Sequence, residues 1–523
     1  MATVHKETER TYAGALDHPL SAERLPQVAG MRTGGTERLD AVYFDTPDLR
    51  LLRRGVTLRR RTGGHDEGWH LKTPGEDGSR NESRLPLADG AAGHLPPELL
   101  ARTALDTRGR PVAPVVHLRT RRDLTLLVDE GGNTLAELAR DTVSARVLGG
   151  APPSPGPAVA PDAVDWVETE VELVDGGTGL LDAVEAEFHR RGLERAAQQS
   201  KLGHALAGRL PDGADVGGAD DGGWTRPAAS GRAARPPRSG SVGEALTGYL
   251  RDQAAALRTL DPAVRLDEPD SVHRMRVHVR RLRSALAAHR RILDRTATDP
   301  LDHELRWFGK VLGRARDAEV IAGRLGAQAE DLPPEGHPAE TAARIRTWSG
   351  ARYREAHHAA VRAMDGRRYF ALLDAVERLA ERPPLKGRAT RGRAEARRML
   401  DRQRGRAARR LDQALDMAPG PQRDGRLHRA RKAAKRARYA AESVTPFAGR
   451  PADRLRKRAK GIQQPLGAHQ DGVMGERALA GIADAGPPDD RSAFGLGILH
   501  ARQRADAARQ VKAAAKARKR LAG

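Results

Sequence analysis

Two stretches of this chain repeat each other, and the repeat limits what its second half can become. HRMRVHVRRLRSAL begins at His273 and HRARKAAKRARYAA begins at His428. Each is followed, 39 or 38 residues later, by Leu-Gly-x-x-x-Asp: LGRARD from Leu312 and LGAHQD from Leu466. Both copies lie in Ala/Leu/Arg segments of helical period that run from Ser241 onward. Breaks fall at Asp-Leu-Pro-Pro (331–334), Arg-Pro-Pro (382–384) and Ala-Pro-Gly-Pro (418–421). A duplicated unit of this kind predicts an all-α half built as a pair of related four-helix bundles about a pseudo-twofold axis.

Residues three, four and seven apart share a helix face. His273, Arg276, Arg280 and Arg283 stand at offsets 0, +3, +7 and +10, and His428, Arg431, Lys435 and Arg438 stand at the same offsets. Each helix thus carries a column of one histidine and three bases. A charge run ordinarily marks a solvated face. The preserved offsets, and the histidine heading both columns, point instead to a long positive groove. Three roles stay open for the histidines: hydrogen bonding to an anion, a packed and satisfied ring, or metal ligation, for which partners at zinc spacing are missing.

The charge distribution agrees. Residues 1–210 hold 27 Lys and Arg against 31 Asp and Glu, so of the chain's 91 basic and 69 acidic residues, 64 and 38 fall in the remainder. The whole basic excess sits in the second half, which predicts a polyanionic partner. Aromatic residues are 3% of the chain, too few to stack many bases, so nucleic acid is disfavoured. The chain has no cysteine, which leaves carboxylates and histidines as the only strong metal ligands. The charged start and the lack of an apolar run of about 18 residues predict no signal peptide and no membrane span, hence a cytoplasmic protein.

The first ~205 residues alternate polar and apolar positions between turn signals such as Thr-Pro-Asp (46–48) and Thr-Gly-Gly (62–64), the pattern of strands. Side chains two apart on a strand share a face. Glu7 and Glu9 do so, as do Arg59 and Arg61, His70 and Lys72, then Arg80, Glu82 and Arg84. Arg119 and Arg121 oppose Leu118 and Leu124; Glu137 and Asp141 share a face, and so do Glu168, Glu170 and Glu172. One such strand is an ordinary half-solvated sheet. Seven of them, with both signs abundant, predict a barrel whose lumen uses bases for phosphate oxygens and carboxylates for hard cations.

The segments ETERTY, YFDTPDLRLLRRGVTLRRRTGG, GWHLKTP, ESRLPL, VETEVELVDG and QSKLGHAL, in that order, resemble the CYTH family, the triphosphate tunnel metalloenzymes. The resemblance covers residues 1–208 and implies a closed eight-stranded antiparallel tunnel that binds a triphosphate with Mg²⁺ or Mn²⁺. By position it implies catalytic roles for Glu7 and Glu9. It implies phosphate binding by Arg59, Arg61, Lys72, Arg84, Arg119, Arg121 and Lys201, and metal binding by Glu170 and Glu172, with Glu168 and Asp141 beside them. The family's Glu-x-Glu-x-Lys signature departs here, because Thr11 replaces its lysine.

HRMRVHVRRLR, HRARKAAKRARYAAE and the two Leu-Gly-x-x-x-Asp elements, with Asp317 and Asp471, resemble the CHAD family, the conserved-histidine α-helical domain. That resemblance covers residues 241–505 and implies inorganic polyphosphate binding without catalysis. Residues 209–240 read as a flexible linker, and 506–523 as a basic tail. The combined expectation is a metal-dependent hydrolase of triphosphate, tethered to polyphosphate and to granules of it. The alternative is a polyphosphate-binding protein whose tunnel binds without turnover.

Overall fold

The computed structural model describes every residue except 1, 2, 17, 19, 76–78, 91–93, 150–161, 199, 210–239, 486–489 and 523. The chain separates into two compact units, Met1–Asp221 and Gly222–Gly523. Residues 151–161, whose Pro- and Ala-rich sequence reads as an exposed loop, and nearly all of the expected linker lie outside the described residues.

The first unit is one antiparallel sheet of β1 (Thr3–Glu7), β2 (Glu9–Ala13), β3 (Gly30–Asp45), β4 (Thr57–Thr62), β5 (Gly68–Pro74), β6 (Arg80–Leu85), β7 (Ala113–Val128), β8 (Thr134–Val147) and β9 (Ala163–Leu173). Their order is β1-β6-β5-β4-β3-β7-β8-β9-β2. Only Thr8 separates β1 from β2, yet β1 pairs with β6 and β2 with β9. One stretch of chain therefore joins both edges, and the sheet closes on itself. The nine strands correct the expected eight. The first strand is cut in two where it passes from one neighbour to the other.

Strand β8 shows how sequence dictates the two faces. Asp141, Val143, Ala145 and Val147 are buried, while Thr142, Ser144 and Arg146 between them are exposed. On the outer face, Phe44, Leu58, Trp69, Leu71 and Leu85 pack with Leu99 of α1 (Pro97–Thr107). Tyr12, Leu127 and Val171 pack with Leu180, Val184 and Phe188 of α2 (Thr178–Arg190). Helix α3 (Lys201–Ala205) differs: Leu202, Ala205 and the following Leu206 pack on Ala41, Tyr43, Leu118, Val143 and Ala145. These are inner-face positions, because Ala41 and Tyr43 oppose Arg61 and Arg59, and Val143 and Ala145 share parity with Asp141. Helix α3 thus covers the inner face over that stretch and brings Lys201 among the charged residues.

The hairpin between β4 and β5 turns through the predicted Thr-Gly-Gly, where Gly63 has φ 80° and a Cβ would lie 2.2 Å from the Arg38 carbonyl oxygen. The Thr-Pro-Asp turn is held by Asp45, whose carboxylate accepts the backbone N–H groups of Thr46, Leu51 and Leu52 at 2.6, 2.9 and 2.9 Å. Burial pushes the Asp45 pKa up to about 6, although these donors oppose the shift. Asp45→Ala would strand three buried donors. The expected loss is about 3 kcal/mol, read as a fall in the melting temperature of the first unit.

The second unit is helical: α4 (Val242–Arg265), α5 (Ser271–Ala288), α6 (Arg295–Glu330), α7 (Pro338–Met364), α8 (Arg367–Glu381), α9 (Arg393–Leu415), α10 (Pro421–Glu442), α11 (Thr445–Ala448), α12 (Arg450–Asp484) and α13 (Asp490–Ala522). The Ser241 hydroxyl accepts the Glu244 N–H at 3.2 Å, and the Glu244 carboxylate accepts the Gly240 N–H at 2.7 Å, so two side chains satisfy backbone donors where α4 starts. The repeat is legible in the helix lengths. Helices of 24, 18, 36 and 27 residues (α4 to α7) are answered by 23, 22, 35 and 33 (α9, α10, α12, α13). Helix α8, which packs on α4, and the four-residue α11 fall outside that scheme. Two four-helix bundles therefore describe the order of the long helices and not the whole unit. The boundary expected at 505/506 falls inside α13. Arg518 of the expected tail makes a bidentate pair with Asp412 of α9, at 2.8 Å on both sides.

Candidate functional site

Directly opposed residues on neighbouring strands share a face. Arg59 opposes Tyr43 and His70, and His70 opposes Arg84. Lys72 opposes Glu82, Glu9 opposes Glu172, and Thr11 opposes Glu170. Asp141 opposes both Arg122 and Glu168. The register therefore turns all of these side chains into the closed sheet, with bases on the β4–β6 side and carboxylates toward β2, β8 and β9.

On the basic side, Arg59 has no carboxylate partner among the described residues. Arg59 Nη1 donates to Tyr43 Oη at 3.2 Å, while the Nε groups of Arg59 and Arg61 are buried with no hydrogen-bond partner among the described residues. Arg61 pairs with the Asp66 carboxylate and donates to the Asp66 carbonyl at 3.3 Å. Burial, then the charges of Arg59 and Arg122, bring its pKa down to about 9, so it remains a cation at neutral pH. His70 lies 2.9 Å from both a Glu82 carboxylate oxygen and the Asp66 carbonyl. Burial, with Arg59 and Arg61 nearby, lowers its pKa to about 4 and keeps the ring neutral, against the pull of Glu82.

The acidic side divides in two. Asp141, Glu168 and Glu170 converge closely enough to hold one metal ion. Lys201 Nζ stands among them, at 2.8, 2.6 and 2.5 Å respectively, and Arg122 bridges Asp141 and Glu170 at 2.6 and 2.5 Å. Against the cost of burial, Lys201 and then Arg122 hold Glu170 well below the usual carboxylate range. The second group, Glu7, Glu9 and Glu172, has three cations near it, with Arg80 3.7 Å from Glu9, yet one of its carboxylates has no ion pair among the described residues. Lys72 Nζ is 2.6 Å from Glu7 and 3.7 Å from Glu9, and Arg84 is 3.3 Å from Glu7. Burial raises the Glu7 pKa despite Lys72. Glu172 makes no hydrogen bond or ion pair with the other described residues. Burial, then the charges of Glu7, Glu9 and Glu170, push it up to about 7 even with Lys72 opposing.

Two sequence assignments need correction. Arg119 and Arg121 are not lumen residues: they are 76% and 66% exposed and pair with Asp40 and Asp123 on the outer face. The inward positions of β7 include Leu118, Thr120, Arg122, Leu124 and Leu126. The inner face is apolar where α3 covers it, so the leucine parity that marked the outer face elsewhere marks the inner face here. Lys201 does enter the lumen, but its ammonium is held by three carboxylates. Arg122 and Tyr43 were missing from the expected site, while His70 and Glu82 were placed on the lumen face by strand parity without a role of their own. The signal for Arg122 was its register with Asp141 on the adjoining strand.

In the helical unit α5 packs on α10, and the two columns meet over part of their length. Arg280 donates to the buried Tyr439 hydroxyl from Nε and Nη2 at 3.1 and 3.0 Å, and Arg438 lies over the Tyr439 ring at 4.6 Å. Arg276 faces Asp317 at 3.4 Å and Arg431 faces Asp471 at 3.9 Å. Lys435 has no ion pair among the described residues. Burial, then Arg431, Arg280 and Arg276, bring its pKa down to about 6. Two carboxylates thus face four basic side chains. The +10 positions leave this cluster: Arg283 pairs with Asp302 at 3.0 Å, and Arg438 donates to Gln463 at 3.0 Å. His428 bonds Gln470 at 2.7 Å; His273 is half-buried, and burial, then Arg316, lower its pKa. Among the described residues, no metal-holding group includes either histidine, and no helix is long and apolar enough to cross a membrane.

Comparison with known proteins bears on both units. The model of the CYTH domain matches residues 6–197, and that of the CHAD domain matches residues 248–480. Two uncharacterized proteins of Mycobacterium tuberculosis, from strains CDC 1551 and H37Rv, are each 35% identical over 522 residues, covering 97% of this chain and 94% of their own. Among solved structures, PptA from Streptomyces chartreusis is 24% identical with a TM-score of 0.45, over 53% of this chain and 99% of its own.

Proposed function

The chain belongs to the family of proteins in which a CYTH domain is followed by a CHAD domain, and we propose that its barrel hydrolyses inorganic triphosphate or related linear phosphates while its helical unit binds polyphosphate. The observation that carries this reading is the buried, unpartnered guanidinium N–H on both Arg59 and Arg61. Other arginines of this chain, Arg53 and Arg60 among them, also carry a buried Nε without an acceptor, so it is the place of these two on the inner face, beside further cations, that calls for a ligand. The neighbouring cations Arg122, Lys72 and Arg84 make that ligand an anion of several charges.

The opposite wall suits a hard divalent cation, Mg²⁺ or Mn²⁺, since every donor there is a carboxylate oxygen. Glu172, with Glu7, Glu9 and Glu170 about it, is short of a protein cation and would hold the ion. Bound there, the ion would neutralise phosphate oxygens and stabilise charge that develops during transfer. Arg59, Arg61 and Arg122 would fix the triphosphate and draw charge from its oxygens. Glu7, its pKa raised by burial, is the candidate to take a proton from the attacking water. Thr11 leaves no lysine at the signature position, but its cross-strand partner Glu170 already has Lys201 and Arg122 as cations.

The four bases Arg276, Arg280, Arg431 and Lys435 suit a polymer with about one charge per phosphate, bound largely through counterion release. Polyphosphate held by one unit would raise the local concentration of chain ends for the other, consistent with a place at cytoplasmic polyphosphate granules. The second reading, binding without turnover, is favoured by Thr11.

The test is phosphate release by the full chain from tripolyphosphate, ATP and thiamine triphosphate, with Mg²⁺ or Mn²⁺. Metal-dependent release from tripolyphosphate supports hydrolysis; tight binding with no release from any substrate supports the second reading. Competition between polyphosphate and DNA of matched charge tests the helical groove. The register adds a sharper expectation. Arg122→Met weakens tripolyphosphate binding about tenfold, the worth of one charge-assisted hydrogen bond, while Arg119→Ala and Arg121→Ala leave it unchanged. Calorimetric titration of the three variants checks this, and equal losses in all three would refute the assignment of faces.

A further inference from the structure

The two Leu-Gly-x-x-x-Asp elements lie in α6 and α12, and their glycines face a guanidinium where an apolar neighbour would ordinarily sit. A Cβ on Gly313 would lie 3.5 Å from Arg276 Nη2 and 3.7 Å from its Nε. A Cβ on Gly467 would lie 3.5 Å from Arg431 Nη2 and 3.6 Å from its Nε. One turn further on, Asp317 Oδ1 is 3.4 Å from Arg276 Nη1, and Asp471 Oδ1 is 3.9 Å from Arg431 Nη2. Residues four apart share a helix face. In both repeats, therefore, a guanidinium rests against a helix where the side chain is missing, with a carboxylate at the next turn. Arg276 and Arg431 occupy the same offset, +3, in their own columns. A mid-helix glycine is less favourable than alanine; at both glycines a Cβ would only touch the same guanidinium, and a longer side chain would displace it.

We propose that Gly313 with Asp317, and Gly467 with Asp471, are positioning pairs that hold Arg276 and Arg431 ready for phosphate oxygens; this rests on the reading of the α5–α10 groove as a polyphosphate site. A free arginine side chain samples many rotamers, and holding it in one costs entropy. Fixing the guanidinium before the ligand arrives removes part of that loss from binding. A planar fork also needs the right orientation to meet phosphate with two parallel bonds. The carboxylates make a positioning role testable, because they lower the positive charge of the groove. By charge alone, removing them strengthens binding of a polyanion. By positioning, removing them weakens it.

The experiment titrates the full chain with long-chain inorganic polyphosphate over a series of salt concentrations. For the double variant Asp317→Asn/Asp471→Asn, affinity is expected to fall about tenfold. The slope of log K against log salt should become shallower by about one to two, as two guanidiniums leave the phosphates. The melting temperature should change little, since both carboxylates are partly exposed. Gly313→Leu/Gly467→Leu should give the same loss by displacing the guanidiniums. Equal or tighter binding by the asparagine variant, with an unchanged slope, overturns the proposal. Arg276→Met/Arg431→Met separates the two levels. If it binds like the parent chain, the groove reading itself fails. If it loses affinity while the Asp and Gly variants do not, only the positioning role fails.

Discussion

Replacing Glu170 and Glu172 together by glutamine is expected to remove metal-dependent phosphate release from tripolyphosphate, a loss of about a thousandfold or more. Glutamine keeps the size and the oxygen but not the charge. The lost metal contribution is about 4 kcal/mol of transition-state stabilisation, at roughly 1.4 kcal/mol per factor of ten. The pH dependence follows from Glu172, whose pKa stands at about 7 in the folded barrel against an ordinary 4.5. For an acid raised on folding, stability is fully present below the unfolded value and is lost as pH rises through the folded one. The metal-free first unit should therefore lose melting temperature between about pH 4.5 and pH 7. Mg²⁺ or Mn²⁺ should reverse that loss, because a bound cation displaces the proton. Activity should rise over the same interval, and its midpoint should move to lower pH as metal is increased. Thermal melts from pH 4 to 8, with and without metal, check the first part, and Glu172→Gln should flatten the curve. Were the parent chain to release no phosphate at any pH, the barrel would be a binding module.

What the sequence disclosed was set by periodicity, and what it concealed was set by long-range register. The helical columns at His273 and His428 were legible because a helix fixes its own faces within four residues. The strand faces at Arg59, Lys72, Glu82 and Glu170 were legible because charge there alternates with residues that pack outside. Strand β7 defeated the same argument. Its inner face carries Leu118, Leu124 and Leu126 with Arg122 among them, and only the pairing of Arg122 with Asp141 tells the two faces apart. The division of the first strand at Thr8 was equally hidden, because closure is a property of the whole sheet. Lys201 is the instructive middle case. Its presence in the lumen was expected, but its partners depend on how α3 meets β8 and β9, which no local pattern encodes. The Leu-Gly-x-x-x-Asp repeat was visible from the first, and its contact with Arg276 and Arg431 required the folded helices.

Lys201→Met is expected to destabilise the first unit by about 3–5 kcal/mol, the range for removing one partner of a buried ion pair. The Lys201 side chain is 9% exposed, those of Asp141 and Glu168 are 0% and 5% exposed, and one ammonium serves both of them and Glu170. Without it, Arg122 alone must compensate three carboxylates. For a unit of this size the fall in melting temperature is roughly 10 °C or more. The direction of its pH dependence is fixed. Burial disfavours the Glu170 anion and Lys201 is first among the cations that oppose this, so the deficit of the variant against the parent chain shrinks as pH falls and the carboxylate takes up its proton. Divalent cations should also restore it, since Asp141, Glu168 and Glu170 then form an open group of hard oxygen donors, whereas Na⁺ at equal ionic strength should not. The measurement is the melting temperature of the full chain at pH 5 and pH 7.5, with and without Mn²⁺. If Lys201 serves only to hold phosphate, as the family resemblance implied, the variant will melt like the parent chain and only the KM for tripolyphosphate will rise. A large destabilisation that Mn²⁺ rescues would instead identify Lys201 as the protein's own substitute for a cation at this wall of the barrel.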